Sequence, residues 1–323
     1  MFKRIVLVGA GNIGSRHLQA LAKLPIELSV DIVEKEKENF KIAEKRLMET
    51  GFDKKLFQYQ HYENIDSVKV PADLVIVATN SKGRSNLVIS LLEKGFTRFL
   101  LEKIVTQSKQ EYEDLMKKMN EKNSKAWVDT AHVYFDSYQK IKRYFDESFP
   151  LHVSVKCGNE GLGCNAIHFI NLFSFLVNDY KVKLNGNSLD NEILENKRGK
   201  ELVEFSGTIK GSISNGSSFT ISFSQHENLP ITLEILGKDK HLFIDETKGF
   251  MKLLKGERQL DFLFNYELQS DLTTKIVKDI LNNDSCILPS LEEASEMHYE
   301  LFRIFNSHLK MITGRDSNIC PIT

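Results

Sequence analysis

The segment VLVGAGNIGSRH, from Val6 to His17, constrains the fold more than any other part of the chain because its glycines have the spacing GxGxxG. The residues before them, Ile5 to Val8, are apolar and largely β-branched, which predicts a strand buried on both faces of a parallel sheet. Apolar residues then recur at helical spacing, Pro25 ends that helix, and Ile26 to Val33 predicts a second strand. The segment therefore predicts a strand–helix–strand unit of about 30 residues.

Each glycine of the motif has its own predicted role in this context. Gly9 permits a tight turn, Gly11 lets a pyrophosphate approach the backbone, and Gly14 lets the helix press against the strand. Asn12 and Ile13 lie in the first helical turn, where free N–H groups and the helix dipole favour an anion. The motif thus predicts a dinucleotide site at these five residues. The alternative is a tight strand-to-helix turn that holds no ligand.

An acidic residue at the end of the second strand would bind the adenosine ribose hydroxyls. We assign this role to Glu34, since the competing Asp31 lies inside the predicted strand. A carboxylate at this position repels a 2′-phosphate and therefore favours NAD over NADP. Lys35 and Lys37 follow directly and would weaken that preference, so NADP stays open.

Two further apolar strands, DLVIVA (Asp73 to Ala78) and RFLL (Arg98 to Leu101), alternate with helices and predict a doubly wound parallel sheet. In such sheets, ligands bind beyond the carboxyl ends of the strands. That rule adds four predicted cofactor-binding residues, which are Thr79, Asn80, Glu102 and Lys103.

Lys103 is also a candidate for proton chemistry. A lysine at the carboxyl end of a strand faces the ligand cleft, and burial can adapt its amine to proton transfer. The alternative is a surface lysine paired with Glu102.

The pattern changes from about Trp127. Phe135 to Phe149 is predicted as a helix and Leu151 to Cys157 as a strand, followed by a glycine-rich entry into a mostly apolar helix that reaches Leu176. Cys164, His168 and Asn171 form a polar stripe on that helix at positions i, i+4 and i+7, with Asn165 beside it. Such a stripe faces either a pocket or other protein groups.

Period-two alternation around Asn215–Gly216 and Gly237–Asp239 predicts two hairpins and hence a mainly antiparallel sheet. Helices are predicted again over Gln269 to Asn282 and Ser290 to Ile312. We therefore expect an α/β dinucleotide-binding domain over residues 1–126 and an α+β domain over residues 127–323 for substrate binding and oligomerisation. The last helices could pack back on the first domain.

The composition excludes several classes of protein. Lys plus Arg number 43 and Asp plus Glu 44, so the net charge of −1 gives no attraction to nucleic acid or to an acidic membrane. The four cysteines form no CxxC pair and no zinc-finger spacing, which predicts no metal site and reduced thiols, as in the cytoplasm. No stretch approaches the ~18 apolar residues of a membrane span.

The sequence resembles the glucose–fructose oxidoreductase, inositol dehydrogenase and MocA family over most of its length. The resemblance rests on GAGNIGSRH, the Glu102–Lys103 pair, HFINL around His168, the LGKDKHLFID hairpin and SLEEA before the last helix. It implies a nucleotide-binding domain followed by a domain with an open antiparallel sheet, through which members often form dimers or tetramers. It also implies NAD- or NADP-dependent oxidation or reduction of a carbinol carbon, usually on a sugar, cyclitol or nucleotide sugar.

The chain departs from the family pattern at several positions. The Glu-Lys-Pro signature stands here as Glu102-Lys103-Ile104. The catalytic His of the family matches His168, but Cys164 and Asn171 stand where members usually have Asp, and His132 stands where an Arg is often found just after the domain crossover. The resemblance implies two catalytic residues, Lys103 and His168. It implies six substrate-binding residues, which are Lys103, His132, Cys164, Asn165, His168 and Asn171.

The family mechanism implied here is hydride transfer, in which His168 takes the hydroxyl proton on oxidation and Lys103 hydrogen-bonds the same oxygen. A nucleotide sugar of surface polysaccharide synthesis is one candidate substrate. Two alternatives stay open. One is glycoside hydrolysis with a permanently bound NAD, and the other is a dinucleotide-binding regulatory or scaffold protein, since the family's Pro and both Asp residues are absent.

Overall fold

Six parallel strands form the sheet of the N-terminal part in the computed structural model, which describes residues 2–145, 148–196, 198–225 and 228–323. The spatial order is β3-β2-β1-β4-β5-β6, so the chain reverses direction across the sheet between β1 and β4. Apolar runs such as IVLV in β1 and LVIV in β4 are buried on both faces, as a central parallel strand requires. The strands are β1 (Lys3–Val8), β2 (Leu28–Val33), β3 (Phe57–Tyr62), β4 (Leu74–Val77), β5 (Arg98–Glu102) and β6 (Lys125–Asp129).

Helices connect these strands. They are α1 (Asn12–Leu21), α2 (Lys37–Met48), α3 (Arg84–Lys94) and α4 (Lys109–Glu121), and short 3₁₀ turns lie at Ile65–Ser67 and Ala131–Tyr134. Helix α3 ends at Gly95, whose φ of 102° is the left-handed conformation that commonly closes a helix.

A second sheet of eight strands lies in the C-terminal part, in the order β16-β15-β14-β13-β7-β12-β11-β8 among the described residues. Neighbours are antiparallel except β7 and β12, which are parallel. Its strands are β7 (Leu151–Cys157), β8 (Lys183–Leu189), β11 (Gly207–Ser212), β12 (Ser218–Phe223), β13 (Thr232–Gly237), β14 (Lys240–Asp245), β15 (Phe250–Lys255) and β16 (Arg258–Leu263). A separate pair consists of β9 (Leu194–Glu195) and β10 (Val203–Glu204), and the helices are α5 (Asp136–Lys142), α6 (Leu162–Val177), α7 (Gln269–Asn283) and α8 (Ser295–Thr313).

The chain divides into two units. The first contains the chain up to Thr106 together with Gln110–Tyr134 and Glu267–Glu292, and the second contains Gln107–Lys109, Phe135–Tyr266 and Glu293–Thr323. The expected division after residue 126 falls inside β6, which pairs with β5 along its whole length. Helix α7 belongs to the first unit, where it packs against α1.

The predicted fold class is confirmed, because the first sheet is parallel and the second is mainly antiparallel. Both predicted hairpins are present as β11–β12 and β13–β14. Two helix predictions were too long. Helix α5 ends at Lys142, and the ring of Phe145 packs closely over Gly237. Helix α8 begins only at Ser295, because Ser290 instead forms a β-bridge with Trp127.

No helix in the described ranges is long and apolar enough to cross a membrane. The cysteines Cys157, Cys164, Cys286 and Cys320 form no disulfide there.

Candidate functional site

The turn between β1 and α1 is packed too tightly for side chains at two of its glycines. Gly9 has a φ of 89°, and a Cβ there would lie 3.0 Å from the carbonyl of Ala78. A Cβ on Gly14 would lie 1.9 Å from the carbonyl oxygen of Gly9. The structure therefore explains Gly9 by the tight turn and Gly14 by the close approach of helix to strand.

Gly11 differs from the other two glycines, because a Cβ there would meet nothing within 4 Å. The protein itself does not require glycine at this position, and the open space is suited to a ligand that approaches the backbone. Helix α1 begins beside it with no side-chain cap at Gly11 and no acid in its first turn, which contains Asn12 and Ile13. Uncapped N–H groups at a helix start favour an anion, so the turn fits a dinucleotide phosphate.

Glu34 lies immediately after β2 and is held against the glycine turn. One carboxylate oxygen accepts a hydrogen bond from the backbone N–H of Ala10 at 2.8 Å, and the other accepts one from the N–H of Glu36 at 2.9 Å. The competing Asp31 is buried in the strand and paired with Arg4, at 3.0 Å from its Nε. The structure thus brings Glu34, and not Asp31, to the turn.

Arg46 is a residue of this region that the sequence analysis missed. It extends from α2 to the start of α1, where its guanidinium donates to Oγ of Ser15 at 2.6 Å and to Oδ1 of Asn12 at 3.3 Å. It places a cation beside the glycine turn. No spacing rule connects it to the motif, because α2 reaches the turn only through tertiary packing.

The carboxyl end of β4 contributes Thr79 and Asn80. Asn80 is exposed, whereas Oγ1 of Thr79 is buried and makes no hydrogen bond within the described residues. A buried hydroxyl without a protein partner is expected where a ligand supplies the partner. Its methyl group lies next to Gly9, so Thr79 borders the glycine turn.

Lys103 follows directly after β5 and is buried, with 5% of its surface exposed, so the surface-lysine alternative is wrong. The chain around it is held by Arg84 of α3, whose guanidinium donates to the backbone carbonyls of Thr79, Glu102 and Ile104. The peptide bond between Lys103 and Ile104 is cis.

Glu102 points its carboxylate into the interior of the first unit. Its Oε1 lies 3.0 Å from Nε2 of His17, and the other ring nitrogen of His17 lies 2.8 Å from Oγ1 of Thr273. Asp129, at the end of β6, lies 3.8 Å from Nε2 of His17 and accepts a hydrogen bond from Gln269 at 2.8 Å. Glu102 thus contacts a buried cluster that the sequence analysis did not predict.

The charges of this cluster depend on one another. Burial alone would lower the pKa of His17, but the hydrogen bond and charge of Glu102 and the charge of Asp129 raise it above its ordinary value. Burial would raise the pKa of Glu102, yet His17, Lys103 and Arg84 lower it. For Asp129, burial and then the charge of Glu102 raise the pKa to about 7. Glu102 is therefore ionised at neutral pH, while Asp129 is partly protonated.

His132 lies in the 3₁₀ turn after β6, in the same unit as Lys103. Burial and then the charge of Lys103 lower the pKa of its imidazole to about 4. His132 is consequently neutral at pH 7 and can accept or donate a hydrogen bond beside Lys103.

Helix α6 of the second unit carries the predicted polar stripe. His168 is partly exposed, whereas Cys164 is buried and Asn171 has no exposed surface. Asn165 donates from its amide to the backbone carbonyls of Glu160 at 2.5 Å and Gly161 at 3.3 Å, which fixes the glycine-rich entry to the helix. Of the stripe, His168 is therefore the residue most open to a ligand.

Glu204 of β10 meets the start of α6 and was also missed. Its carboxylate accepts hydrogen bonds from the backbone N–H groups of Gly163 and Cys164, the latter at 3.2 Å. A Cβ on either Gly161 or Gly163 would lie 2.6 Å from a Glu204 oxygen, so both glycines are needed for this contact. Burial raises the pKa of Glu204.

A cavity of about 540 Å³ opens at the same end of α6. Polar side chains line much of it, including Cys164, Asn165, Asn196, Arg198, Glu204 and Gln225. His168 lies one helical turn beyond Cys164 on the same helix face but is not among the residues that line this cavity. Amides, carboxylates and a guanidinium suit a ligand with several hydroxyl groups.

Three solved structures resemble the chain over nearly its whole length, at sequence identities that indicate the fold alone. An oxidoreductase from Agrobacterium radiobacter in complex with NAD⁺, L-tartaric acid and magnesium has a TM-score of 0.74 at 12% identity, covering 98% of each chain. The UDP-N-acetylglucosamine 3-dehydrogenase GnnA from Acidithiobacillus ferrooxidans has 0.70 at 14%, covering 94% of this chain and 97% of the other. A levoglucosan dehydrogenase in complex with NADH and levoglucosan has 0.71 at 15%, covering 96% and 98%. No curated protein sequence matches significantly.

The strand order of the first unit and its glycine turn define a dinucleotide-binding oxidoreductase fold. Residues 3–130 match the model of the glucose–fructose oxidoreductase, inositol dehydrogenase and MocA family, an oxidoreductase family with an NAD-binding Rossmann fold. The predicted resemblance to this family is thereby confirmed for residues 3–130, and the cofactor of the chain is a nicotinamide dinucleotide.

Proposed function

We propose that this protein transfers a hydride between a nicotinamide dinucleotide and a carbinol or ketone carbon of a sugar, cyclitol or nucleotide sugar. The proposal rests on the burial of Lys103 directly after β5, which belongs to the same parallel sheet as the strand that precedes the glycine turn. That sheet edge is where ligands of doubly wound folds bind. The polar cavity beside α6 supports a polyhydroxylated substrate.

The residues of the first unit would hold the cofactor. Gly11, Asn12, Ile13 and Gly14 would bind the pyrophosphate at the start of α1, and Glu34 would accept hydrogen bonds from the adenosine ribose. Thr79, Asn80 and Glu102–Lys103 would border the rest of the dinucleotide. When bound, the nicotinamide accepts or gives the hydride; the protein supplies geometry and proton transfer.

Lys103 and His168 would divide the chemistry at the reacting oxygen. On oxidation, the carbinol C–H leaves as hydride and the hydroxyl proton passes to the imidazole of His168, so that a ketone forms. Lys103 donates a hydrogen bond to the same oxygen and stabilises the negative charge that develops on it. On reduction, His168 returns the proton. Cys164, Asn165 and the neutral His132 would contact other parts of the substrate, whereas Asn171, which has no exposed surface, would not reach it.

The test is steady-state turnover with a panel of sugars, cyclitols and nucleotide sugars, following NADH absorbance. Lys103→Ala and His168→Ala should each lower kcat by ~10²–10⁴-fold, the range of acid–base assistance. Lys125→Ala and His152→Ala are matched controls, because both residues lie on strands of the same two sheets with exposed side chains and should retain turnover.

Near-normal turnover of both active-site variants would reject the assigned roles. Cleavage of a glycoside with no net change in a tightly bound NAD would instead establish glycoside hydrolysis. Binding of the dinucleotide without turnover of any compound would favour a regulatory or scaffold protein.

A further inference from the structure

The buried cluster that contains Glu102, the neighbour of Lys103 in the chain, has more titratable groups than the proposed reaction uses. A ring nitrogen of His17 and carboxylate oxygens of Glu102 and Asp129 all lie within 4.8 Å of one another, and the three residues are buried. None of them is assigned to the reacting atoms. Burying three ionisable groups is costly unless their charges are shared, so the arrangement calls for a physical reason.

The cluster joins four elements of the first unit. His17 comes from α1, two residue positions beyond the buried Ser15 near the glycine turn, and Glu102 ends β5 next to Lys103. Asp129 ends β6. From α7, the amide of Gln269 donates a hydrogen bond to Asp129 at 2.8 Å, and Oγ1 of Thr273 lies 2.8 Å from a ring nitrogen of His17. The hydrogen bonds therefore connect the helix that begins at the cofactor turn with the strand that presents Lys103.

The charged surroundings of Asp129 are defined on each side. The charges of His17 on α1, Glu102 at the end of β5 and Lys103 directly after β5 act on it. Its own charge acts on Cys286, in the segment after α7. Arg84 acts on Glu102 from α3, and His132 lies near Lys103. One oxygen of Asp129, Oδ1, is buried and makes no hydrogen bond within the described ranges. Such an oxygen is stable when the carboxyl group carries a proton and costly when it is ionised.

We propose that His17 and Asp129 are positioning residues that act on Lys103 through Glu102. They fix the Glu102 carboxylate, whose charge interacts with that of Lys103, and the ionised Asp129 adds a second negative charge that acts on the Lys103 ammonium. This inference rests on the proposed function of Lys103. It assigns a role to His17 and Asp129 that goes beyond packing, because the negative charge that acts on Lys103 changes with pH.

The experiment compares Asp129→Asn with the wild type from pH 5.5 to 8.5, measuring both kcat/KM and the thermal midpoint of unfolding. Below about pH 7 the Asp129 carboxyl is mostly protonated and resembles the amide, so the two proteins should have similar kcat/KM. Above it only the wild type carries the second charge, so the ratio of variant to wild-type kcat/KM should fall about three- to tenfold. Taking the ratio removes any dependence on pH that the two proteins share.

The unfolding midpoint gives a readout that does not need turnover. The folded-state pKa of Asp129 is raised from 3.8 to about 7, so its favourable contribution is complete below about pH 4, declines as the pH rises, and is lost above about pH 7. The Asn variant has no such loss, and its midpoint should rise relative to the wild type between pH 5.5 and 8.5. Asp66→Asn, at an exposed aspartate of the same unit, should show a difference that does not vary with pH.

Gln269→Leu is a second variant at a partly exposed position, in case the buried substitution prevents folding. It removes the hydrogen bond to Asp129, which lowers the pKa of that carboxyl. The pH at which the kcat/KM ratio and the unfolding midpoint change should therefore rise by roughly half a pH unit or more. Gln110→Leu is its control, since Gln110 pairs with Asp114 on an exposed helix face.

A ratio of kcat/KM that is constant with pH would overturn the proposal, whether or not the unfolding midpoint responds, because the cluster would then be structural only. A wild-type protein that turns over no substrate would reject the proposed function and the positioning role together. A midpoint response in that case would still show that the cluster titrates, which separates the two failures.

Discussion

At the scale of single residues, the choice of cofactor depends on opposite charges beside the glycine turn. Glu34 contacts the turn through the N–H of Ala10, and Arg46 contacts the start of α1 through Asn12 and Ser15. The carboxylate disfavours a 2′-phosphate and the guanidinium favours one. Glu34 is buried and fixed by two hydrogen bonds, whereas Arg46 is only partly buried, so we expect Glu34 to dominate and NADH to bind more tightly.

Glu34→Gln should therefore narrow the preference for NADH over NADPH by about tenfold, or ~1.4 kcal/mol. The amide keeps a hydrogen-bond acceptor for Ala10 but no longer repels the phosphate. Calorimetric titration with both dinucleotides measures the effect, after removal of any nucleotide that co-purifies. Arg46→Gln is the matched variant and should bind NADPH more weakly than the wild type does. Tighter binding of NADPH by the wild type would mean that Arg46, Lys35 or Lys37 outweighs Glu34.

At the same scale, a carboxylate from another element lies at the start of α6. Glu204 of β10 accepts a hydrogen bond from the backbone N–H of Cys164. A negative charge at a helix start is favourable because it faces the positive end of the dipole. Glu204 therefore stabilises the beginning of the helix that presents His168.

At the scale of elements, the turn between β1 and α1 contains two glycines that packing requires, Gly9 and Gly14, and one that is suited to ligand binding, Gly11. A methyl group at Gly14 would overlap the Gly9 carbonyl oxygen, whereas one at Gly11 would enter open space. Gly14→Ala should thus cost about 1–3 kcal/mol of unfolding free energy, as overpacking usually does. Gly11→Ala should leave stability nearly unchanged and weaken NADH binding about tenfold or more.

Thermal unfolding without cofactor and calorimetric titration with NADH distinguish these two effects. The pair is internally matched, because the substitution is the same and the positions are three residues apart. A Gly11→Ala protein that binds NADH like the wild type would show that the open space is not used by the dinucleotide. Equal destabilisation by both changes would contradict the packing analysis.

The elements also show what local sequence could predict. Buried strands β1 and β4 and helix α1 were predictable because their apolar patterns are strong and their ends are marked by glycine or proline. Strand β3, FQYQHY, alternates weakly and is only partly buried, so it carries little signal. Helix α5 was predicted to reach Phe149 but ends at Lys142, and Phe145 packs on Gly237, a contact with no local signature in the sequence. Residues 146 and 147 of that prediction lie outside the described residues.

The candidate site followed the same rule. Residues that follow a strand directly, such as Glu34 and Lys103, were predictable from position alone. Arg46 and Glu204 were not, because each reaches its partner from a different element of the chain. Asp129 ends β6 as Glu102 ends β5, so the same position rule applies to it although it was not selected. Sequence spacing predicts which residues lie at a sheet edge, whereas the charges that surround them depend on the packing of the whole unit.

At the scale of the whole molecule, one face of the second sheet carries exposed apolar side chains. The strand register places Leu236, Phe243, Phe250 and Leu263 on the same face of β13 to β16. Leu236 is 45% exposed, Phe250 37% and Leu263 79%, while the opposite face contains buried residues such as Ile235 and Leu253. Polar residues such as Glu234 and Lys252 lie between them on this face, and a sheet face that mixes exposed apolar and polar side chains is suited to contact with another protein surface.

We expect this face to pair with a second copy of the chain, giving a homodimer or homotetramer. Replacing both Phe250 and Leu263 by Lys would place two like charges in that contact, and each would be costly to bury unpaired. Sedimentation velocity at micromolar concentration should show an oligomer for the wild type and a monomer for the double variant. Glu257→Lys, in the exposed turn between β15 and β16, should leave the oligomer intact. A wild type that sediments as a monomer would leave the apolar face without the partner expected here, and would imply that each chain binds cofactor and substrate on its own.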